Sequence, residues 1–186
     1  QKREEVQRKI AKIKDEKKKK QAEQIAKQFD HINQIWTDHF TKLLTHYDAV
    51  LQKIKTRTDK AAANGQDVSM VNTAIQNAET KIAAARTAVA TQAQKTYTID
   101  VTTITSGVAS STTATGQDQI MKNLRAQFKA MKEQLLKDLH ALRDGAIKDT
   151  KTAVKNALQT LSKVLKVDEE PTATSMPTEA TTTNNQ

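Results

Sequence analysis

An all-α fold, an elongated three-helix bundle or antiparallel coiled coil, is predicted for this 186-residue chain by three observations. Aromatic residues make up only 3%, so the core must be assembled from Ile, Leu, Val, Met and many Ala at close helix–helix distance, and a sheet sandwich or barrel is excluded. Apolar residues recur at steps of three and four, the period of a helix with one buried stripe. Only four Gly are present and no Cys. That leaves no room for a phosphate-cradling loop, a nucleophile elbow or a dinucleotide fingerprint, and it removes thiolate metal sites, disulfides and Cys nucleophiles together.

The first helix is predicted over residues 25–63, with a basic helical extension over 1–28 before it. Val6, Ile10 and Ile13 are followed, after a polar break, by Ile25, Phe29, Ile32, Trp36, Phe40, Leu43, Tyr47, Val50 and Ile54. The consecutive four-residue steps through Trp36 and Phe40 form a stutter, which unwinds a left-handed supercoil locally without ending the helix. The segment Asn64-Gly65-Gln66-Asp67 supplies the stop: Asn and Gly tolerate a left-handed backbone, and Asp67 is placed to cap the next helix. That second helix, over 68–97, carries Val68, Val71, Ile75, Ala78, Ile82, Ala85 and Val89, and Ala at the seam permits close approach.

Residues 98–117 form a Thr/Ser-rich connector. Thr98 to Asp118 holds ten Ser/Thr in 21 residues together with Gly107 and Gly116, a composition that favours caps and turns over helix interiors. Tyr97, Ile99 and Val101 alternate like a strand, while Tyr97, Val101, Ile104 and Val108 keep helical steps; a largely irregular connection is predicted. The third helix, over 118–166 with Asp118 as its cap, places Ile120, Leu124, Phe128, Met131, Leu135, Leu139, Leu142, Ile147, Val154, Leu158, Leu161 and Leu165 on one stripe. Gly145 inside it costs about 1 kcal/mol relative to Ala and marks a candidate bend. Residues 29–166 thus make the bundle. Residues 167–186, with four acids, no bases and both prolines, are predicted to be a disordered acidic tail.

The formal net charge of +9 is unevenly laid out. Residues 1–28 hold eleven bases against five acids and residues 119–166 eleven against four, whereas the tail is −4. Lys17, Lys18, Lys19 and Lys20 would surround a helix at that point, and Lys122, Arg125, Lys129 and Lys132 repeat by three and four beside the third apolar stripe. These eight are the candidate contacts to a polyanion, either nucleic acid or an acidic lipid surface, because clustered bases neutralise phosphates and release counterions. The competing reading is a solvated face that serves solubility. No aromatic residue interleaves with the bases, and no helix-turn-helix or zinc-finger spacing is present, which argues against sequence-specific DNA reading.

Candidates for chemistry thin out on spacing. Asp30-His31, Asp38-His39 and His46-Tyr47-Asp48 look like a metal row, but ligands on one helix need i, i+3 or i+4, and these His lie about 10–12 Å apart along the axis. They are read as flanks of the seam, as is His140. The carboxylate pairs Glu4-Glu5, Asp15-Glu16 and Glu169-Glu170 sit in polar surroundings without burial to tune them. No catalytic residue, metal site or cofactor is assigned. Trp36, Phe29 and Phe40, at helical spacing, are predicted to be core. No apolar run approaches the roughly 18 residues that span a bilayer. The chain opens on Gln1 rather than Met, so an initiator, a signal peptide or a longer upstream segment is expected to have preceded it.

The stretch from Phe29 to Lys166 resembles a loosely defined family of uncharacterised exported helical-bundle proteins from bacteria with small genomes. The residues that carry the resemblance are Thr56–Lys60 (TRTDK) with Gly65–Ser69 (GQDVS), then Ala78–Ala85 (AETKIAAA), and finally Leu139–Asp144 (LHALRD) with Ala153–Ala157 (AVKNA). The resemblance implies an extracytoplasmic or envelope location, no activity, and no functional residues to carry over. The expected function is therefore that of a non-enzymatic structural or interaction protein, with a protein partner or a second copy. A polyanion-binding protein using the basic arm and third helix is the alternative, and it is compatible with a cytoplasmic location.

Overall fold

Among the residues that the computed structural model describes, 16–97 and 114–164, there are helices and no strand. Helix α1 (Glu16–Ala63) runs straight through the polar break before Ile25. Lys, Glu, Gln and Ala in that stretch are all strong helix formers, so continuation costs little without a buried stripe. Helix α2 spans Ser69–Ala93, α3 spans Ala114–Leu142, a π-helical turn occupies Arg143–Ile147, and α4 follows over Lys148–Leu161. The predicted conformations of residues 1–15, 98–113 and 165–186 lie outside the described residues.

The turn after α1 is set by local chemistry. Gly65 has φ +77°, a conformation that costs an L side chain energy and Gly nothing. With it there, Gln66 N–H donates to Ala61 O at 3.0 Å and Gly65 N–H to Ala62 O at 2.9 Å, the paired bonds of a Schellman stop. Asp67 then accepts the Ser69 amide at 2.9 Å. The Ser69 backbone and hydroxyl together hold the Asp67 carboxyl below its ordinary range.

Two apolar clusters give the topology. One joins Phe40 and Leu44 of α1, Ala85 and Val89 of α2, Tyr97, Leu135 and Leu139 of α3, and Ile147. The other joins Leu51 and Ile54 of α1, Val71 to Ile82 of α2, and Ala153 to Leu161 of α4. Helix α1 therefore climbs from the first cluster to the second, α2 descends, and α3 with α4 climbs again beside α1. Ala61, Ala78, Ala85 and Ala157 are fully buried, and their small side chains let the three layers approach closely.

Three predicted details are corrected. Helix α3 begins at Ala114, so Asp118 lies within it rather than capping it. Helix α2 ends at Ala93 instead of 97, and α4 at Leu161 instead of 166. Past Ala93 the chain tightens, with the Lys95 amide donating to Gln92 O at 3.0 Å, and Asn33 of α1, whose amide Nδ2 donates to the carbonyls of Gln92 (2.9 Å) and Lys95 (3.3 Å), holds this end against α1.

Gly145 lies in the middle of the π turn, where the Lys148 amide donates to Arg143 O, five residues back. The buried residues Leu142 and Ile147 are five apart. In an α-helix five residues turn through about 500°, which would swing Ile147 about 140° off the stripe; the wider turn absorbs the extra residue and keeps α3 and α4 on the same side of the hairpin.

Candidate functional site

On α1 the buried line runs through Asn33, Thr37, Phe40, Leu44, Leu51, Ile54, Thr58 and Ala61. This is rotated from the predicted stripe at its N-terminal half. Phe40 is core and Phe29 is half-buried, but Trp36 is 40% exposed, Ile32 39% and Ile35 52%. The prediction of a core position for Trp36 is therefore corrected. The rotation follows from buried polar contacts: Asn33 faces the end of α2, and the Thr37 hydroxyl donates to its own helix at Asn33 O (2.9 Å) and Gln34 O (3.0 Å). That hydroxyl therefore needs no water and can be buried.

Ile32, Ile35 and Trp36 lie on one side of α1. At 100° per residue, Phe29, Trp36, Ile32 and Ile35 lie about 40°, 60°, 100° and 160° round α1 from Asn33, on the side away from α2. Phe29 stacks on Phe128 of α3 with ring centroids 6.5 Å apart, so that side turns toward α3. On α3, Asp138 faces α2, because it accepts from Lys95 and Tyr97. Leu136 lies about 160° round from Asp138, on the opposite flank, and is exposed. Trp36 also meets Phe40 and His39, with centroids at 5.7 and 6.1 Å.

The flank that carries Leu136 also carries the predicted bases. Lys122, Arg125, Lys129 and Lys132 are all exposed, and they run along about 15 Å of α3. Lys129 Nζ is 4.0 Å from Glu133 Oε1, an exposed i,i+4 pair of small worth. Lys20 is exposed on α1. Because Phe29 is level with Phe128, Lys20 lies at the same end of the bundle as Lys122. Lys17, Lys18 and Lys19 belong to the first turns of α1.

Further along, α1 and α4 leave an open groove of about 540 Å³ lined by Val50, Lys53, Ile54, Thr56, Arg57, Lys60 and Leu158. Its lining is apolar at the base and basic at the rim, with no acid.

The most ordered polar constellation lies at the other side of the bundle, where α2 ends. Gln92 Nε2 donates to Asn33 Oδ1 at 2.9 Å and to Tyr97 Oη at 2.6 Å. Tyr97 Oη in turn donates to Asp138 Oδ2 at 2.9 Å, beside Lys95 Nζ at 3.0 Å, and Gln134 Nε2 donates to Asp138 Oδ1 at 2.9 Å. Burial pushes the Tyr97 phenol from 10.0 up to about 12, with the Gln92 bond opposing and Asp138 adding to the rise. Burial alone would raise the Asp138 carboxyl, but the bonds from Lys95, Tyr97 and Gln134 outweigh it and hold the group low. Asp138 is thus a fixed anion and Tyr97 a fixed neutral donor. Neither is poised for proton transfer near neutrality, and the network reads as a clasp holding the chain after α2 to α1 and α3. Its sequence signal was the pair of polar residues Asn33 and Thr37, one turn apart beside the apolar stripe.

His31, His39, His46 and His140 are exposed, and among the described residues no group of three His, Asp or Glu is placed to hold a metal ion. Likewise, no described helix is long and apolar enough to cross a membrane. Comparison with family models, curated proteins and solved structures finds no match to this chain. The surface itself therefore carries the functional argument.

Proposed function

We propose that the protein is a non-enzymatic structural or interaction protein of the cell envelope or surface, an elongated helical rod that meets a protein partner along the outer groove between α1 and α3. The observation that carries the reading is the strip Ile32, Ile35, Trp36 and Leu136 left exposed beside Arg125, Lys129 and Lys132. An exposed apolar strip rimmed by charge is the form of a contact surface, and a basic rim favours a partner whose apolar stripe is edged with acids over a second copy of this basic chain. The length of α1, 48 residues or about 72 Å, supports a rod. The envelope location rests on the resemblance of residues 29–166.

Two measurements test it. Small-angle scattering of a rod this long gives a radius of gyration above about 20 Å, and a value near the roughly 16 Å of a compact chain of this length would overturn the shape. Protease shaving of intact source cells should release peptides from α1 before lysis; protection until lysis would sink the envelope location.

A second reading, polyanion binding, is favoured by the exposure of Lys122, Arg125, Lys129 and Lys132 along one flank. Replacing these four and Lys17 to Lys20 with Gln should then abolish salt-sensitive retention on heparin or DNA. Unchanged retention would remove this reading.

A further inference from the structure

Helix α1 carries two seams. The inner one, from Asn33 through Phe40, Leu44 and Leu51 to Ala61, is buried. The outer one is turned about 80° from it. It sets Ile25 and Ile32 seven apart, and Phe29, Trp36, Leu43 and Val50 seven apart, each four residues on from the first series. His39 and His46 continue the Ile series, so the apolar contact is concentrated toward the two ends. The third helix covers one side of this seam: Phe29 stacks on Phe128, Leu43 packs against the first cluster and Val50 against the second. The other side is open, with Ile32 39% and Trp36 40% exposed. At the far end the open side runs into the α1–α4 groove, where Val50 and Lys53 face Leu158, itself 45% exposed.

We propose that the outer seam of α1 receives one amphipathic helix of a protein partner, edged with Asp or Glu, which lies along α1 from Ile25 to Lys53 and completes a four-helix bundle. The inference rests on the contact surface proposed above and extends it to α4.

The period of the seam specifies the shape of its occupant. A repeat of seven held over four heptads matches another helix along about 42 Å. An extended segment would set unpaired backbone amides against an apolar line, whereas a helix satisfies its own. Charge specifies the edges. Lys42 and Lys53 on α1, Arg125 and Lys132 on α3, and Lys151, one heptad before Leu158 on α4, are all exposed beside the seam. The nearest acids on the third helix, Glu133 and Asp144, are already engaged by Lys129 and Arg143. A second copy laid on this seam would bring bases against bases, so a different, acidic helix is the complement.

Trp36 is the sole Trp of the chain, so its emission reports the near end of the seam. The probe is a Trp-free synthetic peptide of about 28 residues, four heptads with Leu at both seam positions and Glu at the edges, which its own like charges keep unfolded when alone. Mixed with the full chain at low salt, it should bind one to one, gain helicity at 222 nm and shift Trp36 emission to the blue. Ile32→Gln at the near end and K53E/L158Q at the far end, all exposed positions, should each weaken binding by about tenfold or more and leave the thermal melt of the free chain in place. The same peptide with Lys in place of Glu should not bind. Weakening by Ile32→Gln without any by K53E/L158Q would overturn the full-length helix and leave the contact surface standing; indifference to both would remove the two together. Equal binding of a peptide of the same composition in scrambled order would overturn the proposal in favour of polyanion binding. A peptide that gains no helicity, as when another stretch of this chain already covers the seam, would overturn it as well.

Discussion

Replacing Asn33 with Leu is the most informative single change to the fold. Asn33 is 2% exposed and makes three hydrogen bonds, two donated to the Gln92 and Lys95 carbonyls and one accepted from Gln92 Nε2. The Lys95 contact is long and partly wet, so its loss weighs little. The Gln92 carbonyl keeps the Lys95 amide at 3.0 Å, so the main loss is one Gln92 side-chain amide hydrogen left buried without a partner, at about 1–3 kcal/mol. For a chain of this length that corresponds to a fall in Tm of roughly 2–12 °C. Gln92→Leu should cost a similar amount, because it strands the Asn33 carbonyl oxygen. The double variant should be less destabilised than the sum by about 1–3 kcal/mol, since the side-chain pair then disappears together. Urea titrations followed by far-UV circular dichroism give all four corners of the cycle. A single-variant cost below about 0.5 kcal/mol, the level of an ordinary surface change, would refute the argument. Strict additivity would refute it as well.

Three further outcomes follow from particular residues. Gly65→Ala should destabilise by about 1–2 kcal/mol through its positive φ alone, because a Cβ there meets nothing, whereas Gly145→Ala, equally unobstructed, should stabilise by up to about 1 kcal/mol; paired thermal melts distinguish them. Because burial raises the folded-state pKa of Tyr97 from 10.0 to about 12, its contribution to stability is full below pH 10 and is lost as pH rises toward 12. Tyr97→Phe should flatten that part of the urea midpoint against pH, and an unchanged slope would place the loss elsewhere. Ala78→Leu, at a fully buried seam position, should overpack the α2 interface at a cost of about 1–3 kcal/mol, while Leu at exposed Ala83 should be near neutral.

The helices themselves were legible because periodicity is a local property: Val71, Ile75, Ala78, Ile82, Ala85 and Val89 announce their buried face without any knowledge of what covers it. The Schellman stop at Gly65 was legible for the same reason. The rotation of α1 near Trp36 was not, since it depends on Asn33 meeting Gln92, 59 residues away. A polar residue joins a seam only when a distant partner satisfies it, and no window along the chain contains both. The start of α3 at Ala114 lies among Ser, Thr and Gly whose propensities oppose helix. The basic flank of α3 was visible in the spacing of Lys122, Arg125, Lys129 and Lys132. Its neighbour Leu136 passed as one more apolar residue, because sequence alone does not say which of Leu135 and Leu136 faces inward.

The π turn at Arg143–Ile147 changes how this chain can vary in length. An added residue in a long helix normally forces a loop or turns everything beyond it to the wrong side. Here the spacing from Leu142 to Ile147 already contains that residue, held in a widened coil. Excising any one residue from Arg143 to Ala146 would leave steps of three and four from Met131 through Leu161, which an unbroken α-helix carries in phase. The bundle thus has a position where insertions and deletions of one residue exchange one helical gauge for another, with both halves of the long third helix still facing the hairpin.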